Sequence, residues 1–223
     1  MLLPVVLALV FTAFTRAQVP AQPIGYGVDL VDNASLQNYQ CLRSQQYSYA
    51  FVGIYNASQG AVYNYAINSI SNAQKAGLNV HIVHAAAPAT FKTGAVQFQE
   101  TYNYLRAYQL IPHTHPFVAA AAQVNVNVAF YTNWYDWEQI TGGWVTTPRL
   151  LWYWDSLGYG QNAYGSNDFN DFRGFGGFTS AHVGIKQYAQ RVTTCNVLCN
   201  VNRFHSNLVL AQAQPVRFEE KKN

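Results

Sequence analysis

Hydrophobic positions along the chain follow two alternating rhythms. Short apolar runs are separated by stretches in which apolar residues return every three or four positions. Tyr26–Leu30 reads as a strand, followed by a helix over Ser35–Tyr47 with Leu36, Tyr39 and Leu42 on one face. Ser48–Ile54 is a near-continuous apolar run, the pattern of a strand buried on both faces. A second helix over Tyr63–Lys75 stops at Gly77, a residue suited to the left-handed position after a helix end. Asn79–His84 is a third strand, and Ala95–Gln109 a third helix that turns Val96, Tyr102 and Leu105 inward. Later strands fall at Val126–Tyr131, Leu150–Trp154, His182–Tyr188 and near Asn196–Asn202.

Strand and helix in alternation predict an α/β fold with a parallel sheet. Polar and aromatic residues recur at the carboxyl ends of the strands, which favours a TIM-like (β/α) barrel over an open doubly wound sheet. No glycine-rich phosphate loop follows the first strand, which argues against nucleotide binding.

Composition refines this picture. Half the residues are apolar and only 10% are charged, far from the composition of disordered chains. There are 16 Tyr, 13 Phe and 5 Trp, which supply core volume and also flat faces on which sugar rings can stack. The net charge of +3, without a basic cluster beyond Lys221-Lys222, implies no nucleic-acid partner.

Leu2–Phe14 is apolar, uncharged and too short to span a bilayer. Thr15-Arg16-Ala17 then places small residues where a signal peptidase cuts, so residues 1–17 read as a signal peptide and the protein as secreted. The competing reading is an N-terminal core strand. A linker over 18–24, one domain from Gly25 to Phe204 and a polar tail over 205–223 complete the expected organisation. No other run approaches membrane length, so no membrane partner is expected, and a monomer is.

Three cysteines, Cys41, Cys195 and Cys199, allow one disulfide and leave one thiol in an oxidising compartment. Neither a metal site nor a cofactor is implied: there is no zinc spacing, and His113 and His115 lack a third ligand. Two sequons, Asn33-Ala-Ser and Asn56-Ala-Ser, are candidates for glycans.

Asp29 ends the first strand, where a barrel builds its active site, and serves equally as a catalytic candidate or as a cap for the next turn. Asp155 ends another strand and is a candidate for ligand binding. Asp136 and Glu138 form a spaced carboxylate pair that solvation or capping explains better.

Gly27-Val-Asp-Leu30, the helix with Cys41-Leu-Arg-Ser44 and Ser58-Gln-Gly-Ala-Val62 are similar in order to glycoside hydrolase family 25 lysozymes of nematode type. Ala129–Trp137, Leu151-Trp-Tyr153 and Lys186-Gln-Tyr-Ala189 continue the resemblance, which covers about Gly27 to Arg203. It implies a retaining muramidase acting on peptidoglycan, in defence against bacteria or their digestion. It also implies Asp29 as a catalytic carboxylate and a Cys41–Cys195 disulfide. Tyr131, Trp134, Trp152, Tyr153, Asp155 and Gln187 become the implied substrate-binding set.

One departure stands out. The family's Asp-x-Glu at the end of the fourth strand, whose Glu donates the proton, has no counterpart. Ile111–Gln123 contains no acid and is too short for a strand with its helix, so one βα segment is missing. Near the last strand, where the family has an Asp, this chain has Asn200, and an amide cannot titrate. Three readings follow: an active enzyme with a substitute donor (Asp155 or Glu138), a non-catalytic carbohydrate-binding relative, or an incomplete product of an active lysozyme gene. A secreted structural protein would suit the tyrosine content but not the ordered motifs.

Overall fold

The structure, a computed structural model, describes residues 6–9, 24–87, 89–108, 128–146 and 150–205. The strands are β1 (Val6–Leu9), β2 (Ile24–Leu30), β3 (Tyr49–Asn56), β4 (Ala61–Val62), β5 (Asn79–His84), β6 (Val128–Thr132), β7 (Leu151–Trp154), β8 (Val183–Thr194) and β9 (Val197–His205). The helices are α1 (Leu36–Ser44), α2 (Ala66–Lys75), α3 (Gly94–Ala107) and α4 (Trp134–Thr141).

The nine strands form one mixed sheet that curls into a half-barrel backed by helices. Two parallel blocks build it, β2–β3–β5 and β6–β7–β8. Strand β9 joins them by running antiparallel to both β8 and β2. The wholly parallel sheet expected from the alternation is corrected here. No helix intervenes between β8 and β9, so the chain must return as a hairpin. Its turn residues, Cys195 and Asn196, both have positive φ (50° and 59°), the backbone that two-residue hairpins require.

The same turn carries Cys195, whose disulfide to Cys41 fastens the hairpin to α1 with a Cα–Cα distance of 5.7 Å. The bridge closes 154 residues of sequence, which in the chain-entropy account constrains the unfolded state by about 5 kcal/mol. Cys199 is free and buried.

Local chemistry explains most boundaries. Ser35 and Asn38 cap the start of α1 reciprocally, each side chain satisfying the other's backbone N–H. Gly77 takes φ +79° just past α2. The third helix departs from expectation in one respect: Val96 is exposed, and Phe98 turns inward with Tyr102 and Leu105.

The core has distinct layers because strand side chains alternate. Leu30, Val52, Ile54 and Val201 face outward under α1, α2 and α3. Phe51, Ala129, Trp152, Ile185 and Phe204 fill the concave side. Trp137, Leu151, Tyr153 and Phe178 pack behind β6–β8.

Among the described residues, β5 and β6 do not pair, which is where a fourth barrel strand would lie. Instead β1 pairs antiparallel with β6, Val6 opposite Tyr131 and Leu9 opposite Val128, and passes within 8 Å of β5 between Cα atoms. Val6–Leu9 lies inside the segment read as a leader. The segment Ile111–Gln123, with His113 and His115, and the 205–223 tail beyond His205 lie outside the described residues.

Candidate functional site

In β2, Gly27 and Asp29 point to the concave side while Val28 and Leu30 point out. Strands β2, β3, β5, β6, β7 and β8 run in the same direction, so their carboxyl ends share one rim, and Asp29 lies near it on β2. Asp29 is half-buried as a residue, and its carboxylate is held by three amides. Gln187 Nε2 and Asn202 Nδ2 donate to Oδ1 at 2.8 and 2.7 Å, and Asn200 Nδ2 donates to Oδ2 at 2.6 Å. Desolvation by burial raises the Asp29 pKa above the usual carboxylate value, against the opposing pull of these amides. Neither ion pair among the described residues involves Asp29, so the donors around it are neutral.

Further hydrogen bonds fix the amides in turn. Tyr131 Oη and Gln190 Nε2 both donate to Gln187 Oε1, at 2.7 and 2.6 Å, which turns the Gln187 NH2 toward Asp29. Trp152 Nε1 donates to Asn202 Oδ1 at 2.9 Å, and the Arg191 backbone N–H donates to Asn200 Oδ1 at 2.8 Å. Burial, and then the carboxylates of Asp29 and Asp136, push the Tyr131 phenol well above its ordinary value. Asp136 therefore lies within electrostatic reach of the same phenol. Burial raises its pKa too, and Trp154 Nε1 donates to its Oδ2 at 3.2 Å.

The structure divides the expected site residues into groups. Asp29, Gln187 and Tyr131 form one connected network, with Trp152 anchoring it from below. Trp152 is fully buried and has no face open to a sugar. Trp134 is exposed at the start of α4, with the Arg173 guanidinium 4.2 Å from its ring centroid. Tyr153 is buried on the outer side of β7 and donates to Asp171 Oδ1 at 2.5 Å. Asp155 belongs with that outer cluster: its pKa is raised by burial and by Asp171, and lowered by Lys186. There the fully buried Lys186 pairs with Asp171 and donates to the Asp168 carbonyl at 2.8 Å, pinning the long 155–179 loop to β8.

Asn202, Gln190 and the Asp136–Trp154 pair were not anticipated. Asn200 and Asn202 stand two apart in β9, so both face the concave side, but only the pairing of β9 with β2 brings them to Asp29. No group of three or more His, Cys, Asp or Glu among the described residues is placed to hold a metal ion. No helix among them is long and apolar enough to cross a membrane.

Residues 20–114 and 110–188 match the family model described as lysozyme-like protein 1. The chain belongs to the family 25 lysozyme-like proteins. The two matched ranges overlap at residues 110–114. Lysozyme-like protein 7 of Caenorhabditis elegans is 33% identical over 210 residues, covering 83% of this chain and 74% of its own. Probable GH family 25 lysozyme 2 of Dictyostelium discoideum is 25% identical, covering 79% and 89%. Among solved structures, a muramidase from Trichobolus zukalii superposes with a TM-score of 0.58 at 15% identity, over 85% of this chain and 98% of that one. A family 25 glycosyl hydrolase from Bacillus anthracis gives 0.52 at 16% identity, over 86% and 93%. At such identities the two structures speak for the fold, and the half-barrel shares theirs.

Proposed function

We propose that this family 25 relative is secreted, binds bacterial peptidoglycan at the rim around Asp29, and holds the glycan without cleaving it. The half-barrel reads as a family barrel from which the fourth βα unit is missing. Its role would lie in defence against bacteria or in their digestion.

One observation carries the reading: among the described residues, every side chain hydrogen-bonded to Asp29 is an amide. Glycoside hydrolysis needs a carboxylic acid to protonate the leaving oxygen and a second group to stabilise the cationic centre. Asp29 can serve as the second. The amides beside it can orient a sugar but cannot exchange protons. Losing general acid help alone costs roughly 10²–10⁴-fold in rate.

The test pairs sedimentation of the protein with insoluble Gram-positive peptidoglycan and turbidity loss of the same walls, for the native chain and Asp29→Asn. Binding with clearing at background is expected. Robust clearing, abolished by the substitution, would overturn the reading. A specific observation names the acid that would then be at work. Asp136, not Asp155 or Glu138, acts electrostatically on the Tyr131 phenol together with Asp29.

A further inference from the structure

The two sequons lie outside the site just described, and the structure separates them. In Asn33-Ala34-Ser35 the serine hydroxyl belongs to α1. It accepts from the Asn38 N–H at 3.2 Å and donates to Asn38 Oδ1 at 2.6 Å, so its hydrogen bonds are taken up by the start of the helix. Asn56-Ala57-Ser58 is arranged differently. Strand β3 ends at Asn56, and the chain turns back so that the Gly60 N–H donates to the Asn56 carbonyl at 2.8 Å. Within this turn Asn56 Oδ1 accepts from the Ser58 hydroxyl at 2.7 Å, the Ser58 N–H at 2.9 Å and the Gln59 N–H at 3.1 Å.

Three donors on one amide oxygen draw electron density from the nitrogen and make its N–H easier to deprotonate. Asn56 Nδ2 itself makes no hydrogen bond among the described residues, and Ser58 and Gln59 are exposed. The hydrogen bonds to Asn56 Oδ1 all come from residues 58 and 59, next to it in the chain, while the Gly60 carbonyl at the end of the turn also accepts from Tyr55 Oη and Lys92 Nζ, at 2.8 and 2.7 Å.

We propose that Asn56 is an N-glycosylation site and is modified in preference to Asn33. The donor is an oligosaccharide carried on a polyprenyl diphosphate lipid. Asn56 Nδ2 loses one proton to a carboxylate of the transferase and bonds to C1 of the first sugar. The C1–O bond to the carrier breaks, and the diphosphate leaves with the electron pair. No oxidant or reductant takes part. The inference rests on passage through the secretory pathway.

The test expresses the full chain with its own leader, and residues 18–223 behind a strong heterologous leader, in a eukaryotic secretory host. Deglycosylation by peptide N-glycosidase in ¹⁸O-water, followed by peptide mass spectrometry, reads each sequon directly. The expected result is ¹⁸O-labelled Asp at position 56, with position 33 largely unlabelled. The glycan mass shift should vanish in Asn56→Gln and Ser58→Ala, persist in Asn33→Gln, and increase in occupancy in Ser58→Thr. Lumenal protein with an unmodified Asn56, or with Asn33 as the main site, would overturn the inference. Glycosylation with the heterologous leader but not the native one would uphold it while refuting secretion by this leader.

Discussion

Asn200 Nδ2 donates to Asp29 Oδ2 at 2.6 Å, from the position directly opposite it in the β2–β9 ladder. The nearest hydrogen-bond donor to the Asp29 carboxylate is thus a neutral amide. It holds the charge in place but cannot share a proton with it. This contact ties the chemistry of the rim to a single side-chain choice on β9.

The substitution Asn200→Asp tests that contact. It places a second carboxylate within hydrogen-bond reach of Asp29, and two like charges there cannot both ionise freely, so the folded pKa of the pair rises above the unfolded value near 4. A group with a raised folded pKa costs nothing while both states are protonated. The cost appears as pH climbs through the unfolded value and is complete above the folded one. The variant should lose about 1–3 kcal/mol at pH 7 and little at pH 4. Urea midpoints at the two pH values measure this, and equal losses at both would show that Asp29 does not sense position 200.

Much of the fold was legible because local signals agree with the final structure. The span Asn79–His84 was read without error, and Gly77 ends its helix as its conformational freedom suggests. The antiparallel β9 was not legible, because alternating strands and helices carry no direction for a strand that follows without a helix. The site was half legible. Asp29 could be placed by its strand end, and Gln187 by resemblance. Asn202 and Gln190 acquire their roles only when β8 and β9 pair, a contact no local pattern encodes. Tyr153, which the resemblance placed in the binding set, lies on the outer side, because alternation along β7 sends it outward while Trp152 goes in.

Two buried histidines should make the protein sensitive to acid. His81 stacks between Tyr49 and Phe51 with its Nε2 unpartnered, and His84 packs on Tyr55 with Nδ1 2.8 Å from Thr101 Oγ1. Burial lowers the pKa of each to about 4. The unfolded chain takes up these protons near pH 6.5 and the folded one only near 4. Stability is therefore complete above pH 6.5 and falls as pH drops from there to 4, by up to about 3 kcal/mol for each ring. His81→Phe should remove one share of this loss and leave a flatter stability profile between pH 7 and 4.5. An unchanged slope would mean that His81 is not buried in solution.

Asp171 should govern the order of the 155–179 loop. Its partner Lys186 has no exposed side-chain surface, so Asp171→Ala leaves a buried ammonium with the Asp168 carbonyl as its remaining partner. Breaking a fully buried pair costs roughly 3–5 kcal/mol. Asp171 keeps 29% of its side chain exposed, and screening there reduces the expected cost to about 2–3 kcal/mol. Limited proteolysis should cut the loop faster in this variant. Adding Lys186→Met should restore most of the resistance, since an apolar side chain of similar length needs no counter-charge.

The last prediction concerns β1, which lies within residues 1–17, the stretch proposed to be cleaved on secretion. Strand β6 is parallel to β7 on one side and antiparallel to β1 on the other, and no other strand among the described residues pairs with that second edge. Cleavage after Ala17 would remove Val6–Leu9 and leave the backbone groups on that edge of β6 without their ladder partners. Unpaired backbone groups within a sheet exchange with water or seek another strand. Two preparations decide the matter, the full 223-residue chain and residues 18–223, compared by amide hydrogen exchange. Residues 128–132 should exchange at least tenfold faster in the shorter form, a loss of about 1.4 kcal/mol in local opening free energy. Strand β2, enclosed between β9 and β3, should be unaffected and serves as the internal reference. If β6 exchanges equally slowly in both forms, β1 contributes nothing to its protection. The half-barrel then holds that edge closed by other means, and loss of residues 1–17 carries no structural cost.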